Sequence, residues 1–238
     1  MTQKNAYAAI LAGGIGSRMG NAERPKQFLM LGDKPIFIHT IEKIILSQEF
    51  DAVLLLCPNI WLQQTRDMVD KYAADFAKDV IIIEGGKTRN DTVDNAIAYV
   101  NQHFKTDQDT LLLTHDAVRP FISNRIISDN ICAAASHGAC DTVIAATDTL
   151  VESDNGQTIS AIPLRCNYYQ GQTPQTFKLK KLEKLTSNLS DSEKDQLTDA
   201  CKIFTSQGEA VALVPGDSSN IKITIPQDMR IARALMGE

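Results

Sequence analysis

The sequence is short of the features that would place it in several large protein classes. Its five cysteines, Cys57, Cys132, Cys140, Cys166 and Cys201, are odd in number, far apart and without a C-x-x-C pair. Neither a disulfide framework nor a zinc cluster is expected, and reduced thiols suit a cytoplasmic protein. Lys and Arg (24) do not outnumber Asp and Glu (29), so the net charge of -5 lacks the basic excess of a nucleic-acid binder. No apolar run exceeds strand length, which excludes membrane insertion by a helix, and M-T-Q-K-N-A-Y shows no signal-peptide pattern. No Ser-His-Asp or Cys-His arrangement stands out. Two familiar glycine loops are missing as well. Counting from Gly14 and Gly16, a dinucleotide fingerprint would need its third glycine at Met19, and no G-x-x-x-x-G-K-[ST] string occurs.

What is present is an alternation of apolar runs and helical patterns. Ala6–Leu11, Ala52–Cys57, Val80–Ile83, Thr110–Thr114 and Asp141–Ala146 read as strands. Helices are expected between them, with Pro35 near the start of one carrying Ile36, Ile38, Ile41, Ile44 and Ile45, and Ser123 capping another. Continuous apolar strands separated by helices predict an α/β fold, a single Rossmann-like domain with a mostly parallel central sheet flanked by helices. From 147 to 172 the rhythm changes to polar alternation. An Asn155-Gly156 turn signal between Leu150-Val151 and Thr158-Ile159 predicts a hairpin, hence a protruding β-arm or a surface meander. Leu179–Leu185 and Gln196–Ser206 read as helical, Ala210–Val214 as a strand, Asn220–Thr224 as extended, and Thr224 and Pro226 mark the start of a last helix.

The polar motifs fall after strands, where open α/β sheets bind ligands. The stretch Ala8–Leu29 passes from a strand into Gly13, Gly14 and Gly16, then presents Arg18 and Lys26. Glycines let backbone N–H groups approach a ligand, and two cations beside them suit a polyphosphate. A second motif, G-G-K-T-R-N-D-T from Gly85, opens a helix whose N-terminus favours an anion or a polar base edge. In it Thr92 is either a ligand contact or a helix-start hydroxyl, and Arg89 a ligand contact or a solvated residue. Asp116, in H-D-A-V-R-P, can hold Mg²⁺ against phosphates or pair with Arg119; His115 reads as structural. Lys222 within S-N-I-K-I-T faces an anion or solvent, and Arg165 in P-L-R-C-N-Y-Y has the two-pronged geometry that suits a phosphate.

These residues resemble the cytidylyltransferase family that includes the methylerythritol phosphate and ribitol-5-phosphate enzymes. The resemblance rests on L-A-G-G-I-G-S-R-M-G with R-P-K-Q-F-L, G-G-K-T-R-N-D-T-V, H-D-A-V-R-P-F, G-Q-T-P-Q-T-F and N-I-K-I-T, in order from Leu11 to Thr224. It implies transfer of CMP from CTP to a polyol phosphate with Mg²⁺ and release of pyrophosphate. Arg18 and Lys26 would be catalytic. Leu11, Ala12, Gly13, Gly14 and Gly85, Gly86, Lys87, Thr88, Arg89, Asn90, Asp91, Thr92 would bind the nucleotide. Arg165, Lys222, Thr149, Arg119 and Thr173 would position the acceptor, and Asp116 would hold the metal. The arm would cross into the second subunit of a homodimer, where Thr149 and Arg165 complete the neighbour's site. Asp148-Thr149-Leu150-Val151 departs from the D-T-x-K of methylerythritol enzymes, and Thr198-Asp199-Ala200-Cys201 from their T-D-E-A. R-P-K-Q-F-L, I-H-T-I-E-K, Y-Q-G-Q-T-P-Q and D-A-C-K-I-F lean to the ribitol branch, whose product serves ribitol-containing surface polymers such as teichoic acid. The alternatives are the methylerythritol acceptor of isoprenoid synthesis, a sugar-1-phosphate nucleotidyltransferase and a catalytically inactive nucleotide sensor.

Overall fold

A computed structural model describes residues 5–14, 25–197 and 199–237. β1 (Ala6–Leu11) is followed by a 3-10 turn at Lys26–Phe28 and a two-strand ribbon, β2 (Met30–Leu31) with β3 (Lys34–Pro35). Next come α1 (Ile36–Leu46), β4 (Ala52–Cys57), α2 (Leu62–Tyr72), β5 (Val80–Glu84), α3 (Arg89–His103), β6 (Leu111–Asp116), α4 (Asn124–His137) and β7 (Ala139–Ala145). A long exposed connection leads to β8 (Tyr169–Lys178), α5 (Leu179–Ser187), α6 (Asp191–Gln196), α7 (Ala200–Thr205), β9 (Ala212–Pro215) and α8 (Pro226–Met236).

Seven of these strands form one sheet in the order β5-β4-β1-β6-β8-β7-β9. β1, β4, β5 and β6 pair in parallel, as do β7 and β9, while β8 runs antiparallel to both of its neighbours. The mostly parallel sheet expected from the sequence is therefore the one that forms. The reason is visible in β4, where A-V-L-L-L-C is buried along its whole length. Successive strand side chains serve opposite faces. Leu54 and Leu56 pack with Tyr7, Ala9 and Phe177 under α3, α5 and α7. Val53 and Leu55 pack with Ala8 and Ile10 under α1, α2 and α4. Each such aliphatic side chain contributes about 2 kcal/mol of burial free energy, and this two-sided core fixes the carboxyl edge on which the polar motifs sit.

Three local expectations are corrected. The segment Y-Q-G-Q-T-P-Q-T-F-K, given no strand by its sequence, is β8. Its polar interior and Pro174 argue against a central strand, yet tertiary bonds hold it there: Thr142 Oγ1 donates to the Pro174 carbonyl at 2.6 Å and Asn130 Nδ2 to Thr142 Oγ1 at 2.9 Å. The hairpin around Asn155-Gly156 closes further out, through a single bridge between Glu152 and Ala161. Ser153, Asn155 and Thr158 bond one another inside it, so side chains replace the expected ladder. The helix expected over 196–206 is shorter, α7 alone, because α6 ends at Gln196 and Asp199 accepts the Cys201 N–H at 2.8 Å to start α7 afresh.

Candidate active site

The two glycine motifs meet across one cavity of about 310 Å³, within the range of small-molecule sites. Leu11, Ala12, Gly13 and Gly14 line one wall; Gly86, Lys87, Thr88, Arg89 and Thr92 line another; Lys26, Asp116 and Lys222 close it. The second wall is the start of α3, fixed by a capping box in which Thr88 Oγ1 accepts the Asp91 N–H and Asp91 Oδ2 accepts the Thr88 N–H. Gly86 is required by packing, since a Cβ there would stand 2.1 Å from Asp91 Cβ. The α3 amides thus face the cavity with the positive end of the helix dipole.

Asp116 organises the cations. Its Oδ1 accepts from Arg89 Nη1 at 2.6 Å, while Oδ2 meets Lys222 Nζ at 2.9 Å and Arg119 Nε at 3.4 Å. Burial pushes this carboxyl up, but the charges of Arg89, Lys222 and Arg119 outweigh it and hold it well below the usual carboxylate range. One carboxylate against three cations leaves a positive surplus where phosphates would lie. Behind it, burial holds His115 neutral, with a pKa lowered to about 4. A carbonyl only accepts, so the His115 Nε2–H donates to Arg119 O at 3.1 Å, and Nδ1 accepts from Thr173 Oγ1 at 2.9 Å. Thr173 Oγ1 in turn accepts the Asp116 N–H at 3.1 Å.

Several expected residues stand elsewhere. Arg18 lies outside the described residues. Asn90 is buried with its amide turned away from the cavity, donating to the carbonyls of Lys194 and Leu197, so it ties α3 to the α6–α7 connection. Asp91 caps α3, and Gly85, set behind Gly86, donates its N–H to Cys57 O at 2.8 Å. Arg119 Nη1 donates to Asn220 O at 2.7 Å, and the Thr173 hydroxyl is used in both directions; both support Asp116 from behind. Thr149 is exposed, and Arg165 Nη1 donates to Thr147 O at 2.6 Å within the arm. Neither reaches this chain's own cavity wall.

The sequence did not single out Gln27, whose Nε2 donates to the Ala12 carbonyl and braces the glycine loop. Its signal was a buried amide directly after Lys26. Asp141 was missed too. Burial raises its carboxyl to about 6; Gln175 pulls it back down and the charge of Asp199 pushes it up. A folded pKa above the ordinary value means that ionising Asp141 costs stability, a cost absent near pH 4, complete above pH 6 and about 1–3 kcal/mol at most. Asp141→Asn removes it. The variant is expected to melt above wild type at pH 8 and level with it near pH 4; a lower melting temperature at pH 8 would contradict this.

Comparison with known proteins agrees with this geometry. Residues 6–238 match the family model described as IspD: 2-C-methyl-D-erythritol 4-phosphate cytidylyltransferase. The chain belongs to this cytidylyltransferase family. It is 49% identical over 230 residues, 97% of each chain, to the Ribitol-5-phosphate cytidylyltransferase of Lactiplantibacillus plantarum. Among solved structures, the 4-diphosphocytidyl-2C-methyl-D-erythritol synthase of Anaerococcus prevotii superposes with a TM-score of 0.79 at 25% identity, covering 98% of this chain and 96% of that one. The 2-C-methyl-D-erythritol 4-phosphate cytidylyltransferase of Francisella tularensis gives 0.78 at 27% identity, covering 97% and 99%.

The magnesium ion that the family resemblance implies would meet one carboxylate in the cavity lining, Asp116. Both oxygens of Asp116 are engaged by cations, and the described residues hold no group of three or more His, Cys, Asp or Glu placed to bind a metal. Magnesium commonly takes one or two carboxylates together with substrate phosphates and waters; in this structure Asp116 anchors Arg89 and Lys222. No helix among the described residues is long and apolar enough to cross a membrane.

Proposed function

We propose that this cytidylyltransferase transfers CMP from CTP to ribitol 5-phosphate, giving CDP-ribitol and pyrophosphate in the cytoplasm for ribitol-containing surface polymers such as teichoic acid. The observation that carries the nucleotide half is the convergence of the glycine loop, the start of α3, Lys26 and the Asp116-held cations on one cavity. The acceptor half is supported by the ribitol-5-phosphate relative named above.

The chemistry asks little of general base catalysis. An oxygen of the acceptor phosphate, already anionic, attacks the α-phosphorus of CTP; the bond from that phosphorus to the bridging oxygen breaks, and pyrophosphate leaves with the electron pair. Alignment and charge neutralisation then carry catalysis. Backbone N–H groups of the glycine loop and of α3 hold the nucleotide. Lys26, buried beside Gly14, meets the charge that grows at the α-phosphate, and Arg18 is assigned the same task. Lys222 and Arg89 orient the acceptor phosphate. Magnesium, in this proposal, is the counter-ion of the triphosphate and screens its charge.

The acceptor side is completed by a second copy of the chain. Val151, Ile159, Ile162 and Leu164 of the arm are each more than half exposed, an apolar surface that suits a partner subunit. Arg165 and Thr149 ride on the same arm and would enter the neighbour's site. Supplying CTP, Mg²⁺ and ribitol 5-phosphate and measuring pyrophosphate tests the reaction. Stoichiometric release with CDP-ribitol formation is expected; no release with any polyol phosphate would favour a nucleotide sensor.

A further inference from the structure

The turn from Asp116 to Arg119, at the end of β6, carries the groups that place Lys222. Asp116 Oδ2 meets the Lys222 ammonium. The Val118 carbonyl accepts the Ile223 N–H at 3.0 Å, and Arg119 Nη1 donates to Asn220 O at 2.7 Å. Lys222 is thus fixed at its charged end and on both sides of its backbone by one short turn, whose Asp116 also holds Arg89. The sheet does not seat this turn by its ladder alone. β6 and β8 pair as far as Thr114 with Gln175, and in the same register Asp116 would stand opposite Thr173. The Thr173 carbonyl, however, accepts from Asn220 Nδ2 at 2.9 Å, and the Asp116 N–H goes to the Thr173 hydroxyl at 3.1 Å.

A carbonyl can only accept, but a hydroxyl can turn. The Thr173 hydroxyl is held in the accepting direction because its own hydrogen goes to His115 Nδ1 at 2.9 Å. The opposite ring nitrogen, as Nε2–H, donates to Arg119 O at 3.1 Å. One neutral imidazole therefore grips the turn at both ends, Asp116 through Thr173 and Arg119 directly. His115 is wholly buried. Successive strand side chains serve opposite faces, so it lies on the other side of β6 from the Asp116 carboxylate. Neither His115 nor Thr173 lines the cavity. An apolar side chain would fill the same space with no polar atoms to satisfy, so filling the core does not account for an imidazole here.

We propose that His115 is a positioning residue for the acceptor phosphate: through the Thr173 hydroxyl it seats the Asp116 end of the turn, and so aims Lys222 and Arg89. This rests on the reading above that those two cations orient that phosphate. The nucleotide is held by backbone N–H groups of the glycine loop and α3, outside this turn. Loss of the link is therefore felt by one substrate and not the other.

Two substitutions separate the two ends of the grip. His115→Asn keeps an acceptor at the place of Nδ1 and loses the donor to Arg119. His115→Gln keeps a donor at the place of Nε2 and loses the acceptor for Thr173. Both leave space in the core and should lower the melting temperature, so kinetics are read well below it. With CTP and ribitol 5-phosphate, His115→Gln is expected to raise the acceptor KM about fivefold, the effect of one buried hydrogen bond. The KM for CTP should stay unchanged, and His115→Asn should stay near wild type for both substrates. Thr173→Val breaks the link from the other side and should match His115→Gln. The double variant should be no worse than either, because residues acting through one link are not additive. An unchanged acceptor KM in His115→Gln, equal losses in His115→Asn and His115→Gln, or additive losses in the double variant would overturn the role while leaving the reaction intact. The link also has a readout without turnover. In a nitrogen NMR spectrum of the four histidines, Thr173→Val should shift His115 Nδ1 and leave Nε2 in place; an unmoved Nδ1 would overturn the link itself. A wild-type protein that releases no pyrophosphate with ribitol 5-phosphate would overturn the acceptor reading and the positioning role together, and the spectrum distinguishes that failure from a missing link.

Discussion

Lys26→Met is expected to lower kcat roughly a hundred- to a thousand-fold while changing the KM for CTP little. Loss of one preorganised charge aimed at a developing anion has effects of that size, and methionine keeps the buried stem while removing the charge. The side chain enters the cavity from the 3-10 turn at Lys26–Phe28, and its Cε lies 3.7 Å from where a Cβ on Gly14 would be. Gln27, one residue on, ties the same turn to the Ala12 carbonyl, so loop and cation are held as one piece. Steady-state kinetics with saturating acceptor decide the matter. A raised CTP KM with kcat intact would mean that Lys26 binds the ground state and the transition state equally.

The second large effect is expected from mixing two inactive proteins. If Arg165 serves the neighbour's cavity, Lys26→Met and Arg165→Ala carry their defects in different half-sites, and a mixed dimer holds one intact site. Co-refolding them at equal amounts should restore roughly a quarter of wild-type activity, the share of intact sites in a randomly exchanged C2 dimer. Each variant alone should stay nearly inactive with the ribitol acceptor. The basis is the arm's geometry: Arg165 bonds the Thr147 carbonyl inside the arm and is absent from the cavity wall of its own chain. Additive activities with no recovery would place Arg165 in the same site as Lys26, or outside any site.

Much of the fold was legible because its strands are uniformly apolar and its helices periodic. A-V-L-L-L-C and V-I-I-I can serve only a sheet covered on both faces, and the glycines after β1 and β5 point to its carboxyl edge. β8 was not legible. Its residues are polar and its place in the sheet is fixed by Asn130, Thr142 and Gln175, contacts made by groups 12 to 46 residues apart. The site divides in the same way. Gly13, Gly14, Lys26, Arg89, Asp116 and Lys222 were marked by spacing within short motifs, and the structure brings them together. Asn90 sits in such a motif but faces backwards, because a helix start turns only some of its side chains to the ligand. Asp141 carries no motif; only the register of β7 against β8 sets it beside Gln175 and Asp199.

The central claim is the pairing of CTP with ribitol 5-phosphate. Its most direct test gives wild-type enzyme CTP together with equimolar ribitol 5-phosphate and 2-C-methyl-D-erythritol 4-phosphate and quantifies the two CDP-polyol products. Since products from competing acceptors form in the ratio of their kcat/KM values, CDP-ribitol is expected in large excess. Predominant formation of the methylerythritol product would contradict the assignment.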